Sequence, residues 1–372
     1  MALPRSKYVL EGQEGVYHCF SRCVRRAFLY GFDKHTHRDY SHRKAWIVDR
    51  LRLLASIFAV EVCAFAIMAN HYHTILRTRP DIVARWSDLE VATRWLKLFP
   101  RHGGLMGISM EEQIRALSLC PERIATLRKR LSSLSWFMGR LNEYIARASN
   151  KEDKVKGRFW ESRFKCQVLL DEAAIAACMV YVDLNPVRAA LARTPEESDF
   201  TSIQERIRQW KRETMPTVSV ATKTAQDIHS TSSHRDISIP ENAEVFQTST
   251  FNQVSANNDS LDVSGPSACW LCPISSDSHR RGILQMTPAE YFDLVDKSGR
   301  LIRSDKQGVI DEDIAPILLR IGANPKAWQE TITRFGNKFD LVAGLISSIR
   351  NFADQIGKRW FKGVAVARTA FA

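Results

Sequence analysis

Residues 61–76 read Glu61-Val62-Cys63-Ala64-Phe65-Ala66-Ile67-Met68-Ala69-Asn70-His71-Tyr72-His73-Thr74-Ile75-Leu76. The first half is a short apolar run and the second half opens with alternating character, so two strands over 61–68 and 71–76 are predicted, joined by a tight turn at Ala69-Asn70. In a strand, successive side chains point to opposite faces. His71 and His73 therefore share one face while Tyr72 packs on the other. Two neutral imidazoles at that separation can share one divalent cation, although histidines at i and i+2 also occur as the polar face of an edge strand.

Working outward, the run Val16-Tyr17-His18-Cys19-Phe20-Ser21 after Gly15 reads as a first strand, on which His18 is a lone histidine that could serve structure or join a site. Trp46, Ile47, Leu51, Leu53, Leu54 and Ile57 fall near helical spacing within residues 41–58. Leu134, Phe137, Met138, Leu141, Ile145 and Ala148 do the same within 131–149 and define an apolar face, with Tyr144 at its edge. Residues 166–170 can form a fourth strand, and 171–184 a helix opening with the carboxylates of Asp171 and Glu172. Asn185-Pro186 suits an N-cap followed by proline at the first helical position, and Ser202-Ile203-Gln204-Glu205 reads as a capping box. The core order is thus strand, helix, strand, strand, helix, strand. This is the α+β order βαββαβ of the ferredoxin-like fold, an antiparallel sheet with a helical insertion over about 80–131.

With 372 residues the chain is longer than one typical domain. The expected division is a core over 1–213, a Ser-, Thr- and Asn-rich flexible linker over 214–265, and a small all-helical C-terminal domain over 266–372. A formal net charge of +12 favours a polyanionic partner, nucleic acid before an anionic membrane surface. No uninterrupted apolar run is long enough to span a bilayer, and residues 1–7 lack the apolar segment of a signal peptide, so a cytoplasmic protein is expected. Eight cysteines lie scattered, mostly within apolar segments, which suits buried thiols in a reducing compartment. Cys269-Trp270-Leu271-Cys272 is a single C-x-x-C with no second pair at zinc-ribbon spacing.

Two further features carry chemistry. Tyr144 offers a hydroxyl nucleophile if its helix packs across the histidine face; its structural alternative is an amphipathic residue at a core boundary. Downstream, Lys154, Lys156, Arg158, Trp160, Arg163 and Lys165 interleave cations with aromatic rings. Residues 121–170 hold 12 Lys and Arg against 5 Asp and Glu. Such a segment can track a phosphate backbone while its rings stack on unpaired bases.

Taken together, four motifs resemble the REP-associated tyrosine transposases, of the single-tyrosine HUH transposase-like group. They are His71-Tyr72-His73, Leu141-Asn142-Glu143-Tyr144, Gly157-Arg158-Phe159-Trp160-Glu161-Ser162-Arg163-Phe164-Lys165, and Tyr181-Val182-Asp183-Leu184-Asn185-Pro186-Val187-Arg188-Ala189. The likeness spans about residues 10–210. It implies a metal-dependent nuclease and strand transferase acting on single-stranded DNA beside hairpins through a 5′-phosphotyrosine intermediate. On the matching positions it assigns Tyr144 as nucleophile and His71 and His73 as ligands of Mg²⁺ or Mn²⁺. Lys154, Lys156, Arg158, Trp160, Arg163, Lys165 and Arg188 are then DNA-binding residues.

The family often places a third, polar ligand one helical turn after the tyrosine. Here that position is Ala148, and Asn150 is the nearest candidate. The expected partner is single-stranded or hairpin DNA at the nucleoid, with a homodimer left open and no membrane. The competing expectation is a domesticated, non-catalytic DNA-binding protein of the same fold. An RNA-binding module would need an RNP-type aromatic pattern on the strands, which the sequence lacks.

Overall fold

The computed structural model describes residues 3–24, 31–33, 37–100, 108–214, 270–302 and 315–371. Strand β1 (Gly15–Arg22) is followed by a two-residue ladder of β2 (Phe32–Asp33) and β3 (Arg38–Asp39), then by helix α1 (Arg43–Ile57). The hairpin comes next as β4 (Val60–Ile67) and β5 (His71–Thr78), and the described residues of the expected insertion form four helices. These are α2 (Pro80–Arg85), α3 (Asp88–Leu98), α4 (Met110–Ser118) and α5 (Pro121–Leu131). The core resumes with α6 (Leu134–Glu152), β6 (Lys165–Leu169), α7 (Glu172–Asp183), α8 (Asn185–Arg188) and α9 (Ser202–Thr214). The last described part carries α10 (Pro288–Ile302), α11 (Ala315–Arg320), α12 (Pro325–Lys338), β7 (Val342–Ala343), α13 (Ile346–Gln355) and α14 (Val364–Ala370).

Five strands form one sheet in the order β4-β5-β1-β6-β7. The pairs β4/β5, β5/β1 and β1/β6 are antiparallel, whereas β7 adds to β6 in parallel. The molecule is therefore a mixed α and β fold whose first four sheet strands and two intervening helices follow the order read from the sequence.

Side-chain alternation divides the sheet into two chemically different faces. Helices α1 and α6 cover the face that carries Ser21, Tyr72 and Thr74. The Tyr72 hydroxyl donates to Asn142 Oδ1 at 2.6 Å, and Asn142 Nδ2 donates to Ser21 Oγ at 3.0 Å. Leu134, Phe137, Met138, Leu141 and Ile145, the stripe predicted from periodicity, are the buried side of α6. A buried Arg43 at the start of α1 donates to Glu152 and Asp153 at the end of α6, which locks the two helices together.

Helix α7 covers the opposite face. Its sequence Glu-Ala-Ala-Ile-Ala-Ala-Cys-Met-Val-Tyr-Val-Asp is buried almost throughout, because α10 and α12 pack on its outer side while β4, β5 and β6 lie beneath. Small side chains at Ala173, Ala174, Ala176 and Ala177 permit that close approach from both directions. At its far end the buried Asp183 carboxylate accepts from the Ser202 and Tyr291 hydroxyls, each at 2.5 Å, and from the Ile203 amide. Burial pushes the Asp183 pKa up to about 6 despite those donors, so the network ties α9 and α10 to α7 at an electrostatic cost.

Two expectations change here. Residues 270–371 are not a separate all-helical domain: they belong to the same compact unit as the core and supply β7. Leu271 also pairs with Val62, and Cys272 N–H donates to the Val62 carbonyl. The tail thus adds backbone at both ends of the strand order, covering donors and acceptors that an open edge would present. Periodicity could not show this, since β7 has only two residues. The expected linker lies outside the described residues except for Thr214.

The capping box at Ser202 is also displaced by tertiary contacts. Ser202 Oγ bonds Asp183 and the Phe65 backbone, and Thr201 Oγ1 instead accepts the Gln204 amide.

Candidate functional site

His71 and His73 project from β5 on the face away from α6, side by side with ring centroids 5.0 Å apart. A third histidine joins them from β1. His18 stacks on His73 with centroids 5.1 Å apart, and His18 Nε2 lies 2.9 Å from His73 Nδ1. His18 and His73 are buried, and His71 is partly so.

Desolvation pushes His18 down to about 4 and His71 to about 4, while His73 falls well below the usual histidine range through burial and the nearby His18, His71, Arg188 and Arg22. All three rings are neutral near pH 7. His71 Nδ1 faces the Asn70 side-chain oxygen at 2.6 Å. An amide oxygen only accepts, so His71 carries its proton on Nδ1 and leaves the Nε2 lone pair free.

The tyrosine that meets this cluster is Tyr181 on α7. Its ring stands edge-on to His73 at 5.7 Å and to His18 at 6.0 Å. The Arg188 guanidinium lies over the Tyr181 ring, 4.0 Å from its centroid. Arg188 is itself held by Asn185 Oδ1 and the Thr333 carbonyl, each at 2.5 Å. From α12, Phe335 packs against the ring and Gly336 passes beside the hydroxyl, so close that a Cβ there would lie 2.8 Å from Tyr181 Oη.

Tyr144 is not at this site. It sits on α6, which covers the Tyr72 face, and its exposed ring lies under the Arg50 guanidinium of α1 at 4.9 Å. The expectation fails because helical periodicity tells which side of α6 is buried, not which face of the sheet receives it. Asn150 belongs to the same helix, and its Nδ2 donates to the Gly157 carbonyl at 2.9 Å rather than meeting the histidines.

The basic aromatic segment separates into two roles. Lys154, Lys156, Arg158, Arg163 and Lys165 are exposed. Phe159, Trp160 and Phe164 are buried. Trp160 Nε1 donates to the Asn142 carbonyl, and the ring packs against Tyr72, so Trp160 is core rather than a surface for stacking bases. Lys165 reaches the site's edge, with its ammonium 5.5 Å from the Phe20 ring, and Phe20 in turn touches His73.

Arg22 completes the cationic surround: it is exposed and pairs in register with His71. Arg22 and Tyr181 carried no assigned role in the sequence reading. The available signal was Tyr181 itself, a hydroxyl in an otherwise apolar helix two residues before Asp183.

Among the described residues, no group of three or more His, Cys, Asp or Glu gathers in a form that could hold a metal. His71 and His73 are nonetheless neutral nitrogen donors on one face, and the His71 tautomer leaves a lone pair, so these are the two residues that would hold a divalent ion. With imidazole donors and no carboxylate, such a seat suits Mn²⁺ or a later first-row ion better than Mg²⁺.

No protein-family model and no curated protein matches the chain. Among solved structures, a REP-associated tyrosine transposase bound to a REP hairpin aligns with 12% identity, covering 64% of this chain and 100% of that one at a TM-score of 0.33. Overlap of that extent decides neither fold nor chemistry for this protein. Among the described residues, no helix is long and apolar enough to cross a membrane.

Proposed function

We propose that this protein is a single-strand DNA nuclease and strand transferase of the single-tyrosine HUH type, built on a ferredoxin-like core, with Tyr181 as nucleophile. The observation that carries the reading is one hydroxyl-bearing ring set against His18 and His73 beneath the Arg188 guanidinium. In the reaction, Tyr181 Oη bonds to phosphorus and the P–O3′ bond breaks. The proton lost by the phenol balances the one taken up by the departing 3′-oxygen. The product is a 5′-phosphotyrosine with a free 3′-hydroxyl, which conserves the bond for rejoining.

Arg188 supports this chemistry by favouring negative charge on the phosphate. Its Nε and the neighbouring Asn185 Nδ2 are buried donors without an acceptor among the described residues, a demand that a phosphate oxygen meets. A divalent ion held by His71 and His73 would polarise a phosphoryl oxygen. Arg22, Lys165 and the exposed cations from Lys154 to Arg163 supply a track for the DNA backbone. The intended partner is single-stranded or hairpin DNA, which places the protein at the nucleoid.

A second reading, a DNA-binding protein without efficient chemistry, draws support from α12, which leaves little room beside the Tyr181 hydroxyl. One assay separates them: purified protein is incubated with labelled hairpin-bearing single-stranded DNA and Mn²⁺, and covalent adduct is sought on a denaturing gel. Adduct with the native chain, absent in Tyr181→Phe, is the expected result. Tight DNA binding with no adduct under any metal would leave only the second reading.

A further inference from the structure

We infer that His18 is a positioning residue that sets the tautomer of His73 through a relay beginning at the C-terminal segment. The inference deepens the nuclease reading and rests on it for its purpose, though not for its geometry. Gln167 on β6 donates from Nε2 to the Asp340 carbonyl at 3.0 Å, just before β7. That bond turns Gln167 Oε1 toward His18 Nδ1, 3.4 Å away.

An amide oxygen cannot donate, so the His18 proton resides on Nδ1 and Nε2 is a bare lone pair. The partner of that lone pair is His73 Nδ1 at 2.9 Å, which must therefore carry the proton of its own ring. His73 Nε2 is left as a lone pair, the form a metal ion or an incoming proton requires. The reverse assignment would set the His18 Nδ1 lone pair against the Gln167 carbonyl oxygen, acceptor facing acceptor.

The relay also gives the tail a task at the site. Asp340 precedes Leu341, whose carbonyl accepts the Val168 amide, so the seating of this segment along β6 is what orients Gln167. A partner of a metal-binding histidine that fixes its tautomer and ring orientation typically changes metal affinity by about 10–100-fold when removed.

The full-length, ¹⁵N-labelled protein, free of metal and DNA, provides the first test by long-range ¹H–¹⁵N correlation at pH 7.5. The native spectrum should show His73 protonated on Nδ1, and His18→Leu should shift it toward the Nε2–H form. Mn²⁺ titration followed by electron paramagnetic resonance should show affinity weaker by about 10–100-fold in His18→Leu. His18→Gln should restore most of it, because its amide can accept from His73 and donate to Gln167.

A native His73 protonated on Nε2 overturns the relay, as does native-like Mn²⁺ affinity in a folded His18→Leu protein. If His18→Leu does not fold, Gln167→Leu takes its place, with the same shift expected and an unchanged tautomer overturning the inference. Because the tautomer is read without DNA, a correct relay in a protein that forms no adduct would count against the nuclease reading alone.

Discussion

The two faces of the central sheet use the same residue types for opposite ends. On the α6 side, Tyr72, Asn142, Ser21 and Trp160 form a chain in which each of those polar side chains has a partner inside the protein. On the α7 side, three histidines, Tyr181 and Arg188 are assembled in burial that keeps the imidazoles neutral, and Arg188 Nε still lacks an acceptor among the described residues. A buried tyrosine whose hydroxyl is bound at 2.6 Å is a structural part. A tyrosine edge-on to neutral imidazoles under a guanidinium is the one to which the proposed function assigns chemistry. The difference lies in what each group has left to bind.

That contrast can be broken most sharply at the two tyrosines on helices. Tyr181→Phe should reduce covalent DNA adduct by on the order of 10⁴-fold or more, as removal of a nucleophile does. Tyr144→Phe should leave adduct within about twofold, since its position is apart from the proposed chemistry. Quantified gels with both variants decide it, and the opposite ranking would return the reaction to α6.

Next in size, Asn142→Ala should destabilise the fold by about 3 kcal/mol in urea denaturation, because it strands the buried Tyr72 and Ser21 hydroxyls. The adduct yield of the fraction that remains folded should be unchanged. A stable variant with lost adduct would show that the α6 face takes part in chemistry after all.

Arg188→Ala should lower the adduct rate by about 30-fold, roughly 2 kcal/mol, with a smaller effect on stability. Single-turnover kinetics measures it. A native rate in Arg188→Ala would remove the guanidinium from the proposed mechanism.

The smallest effect concerns acid, because opposing groups partly cancel. His18 and His71 titrate at about 4 when folded against the ordinary 6.5, so their contribution is fully present above pH 6.5 and lost as pH falls toward 4. His73 acts in the same direction. Asp183 acts in reverse: with its pKa raised from 3.8 to about 6, its contribution is lost as pH rises through that range. Three groups outweigh one, and thermal melts should show Tm falling between pH 6.5 and 4.5. A flat profile in native protein would mean that the histidine face is wetter than its burial implies.

Much of the core was legible from residues alone. The alternation around Tyr72 placed His71 and His73 together, and the three-and-four spacing from Leu134 to Ile145 gave the buried side of α6. Alternation is a property of one strand and amphipathicity a property of one helix, so both can be read locally. The choice between Tyr144 and Tyr181 was not local. Helix α7 is buried on nearly all sides and has little polar face to read, while the aromatic rings of Phe159, Trp160 and Phe164 turned inward where an exposed stacking platform was expected. His18 looked solitary because the strand that brings it beside His73 lies more than fifty residues earlier in the chain.

The sequence by itself determined the order of the core elements, the shared face of His71 and His73, and the cationic character of the segment after α6. The tertiary structure decided which helix covers that face, and with it the candidate nucleophile. It also joined the C-terminal segment to the sheet and to Gln167. The physical reason is that periodicity gives each element a buried side, whereas the partner on that side is settled only when all the elements compete for the same two faces of one sheet.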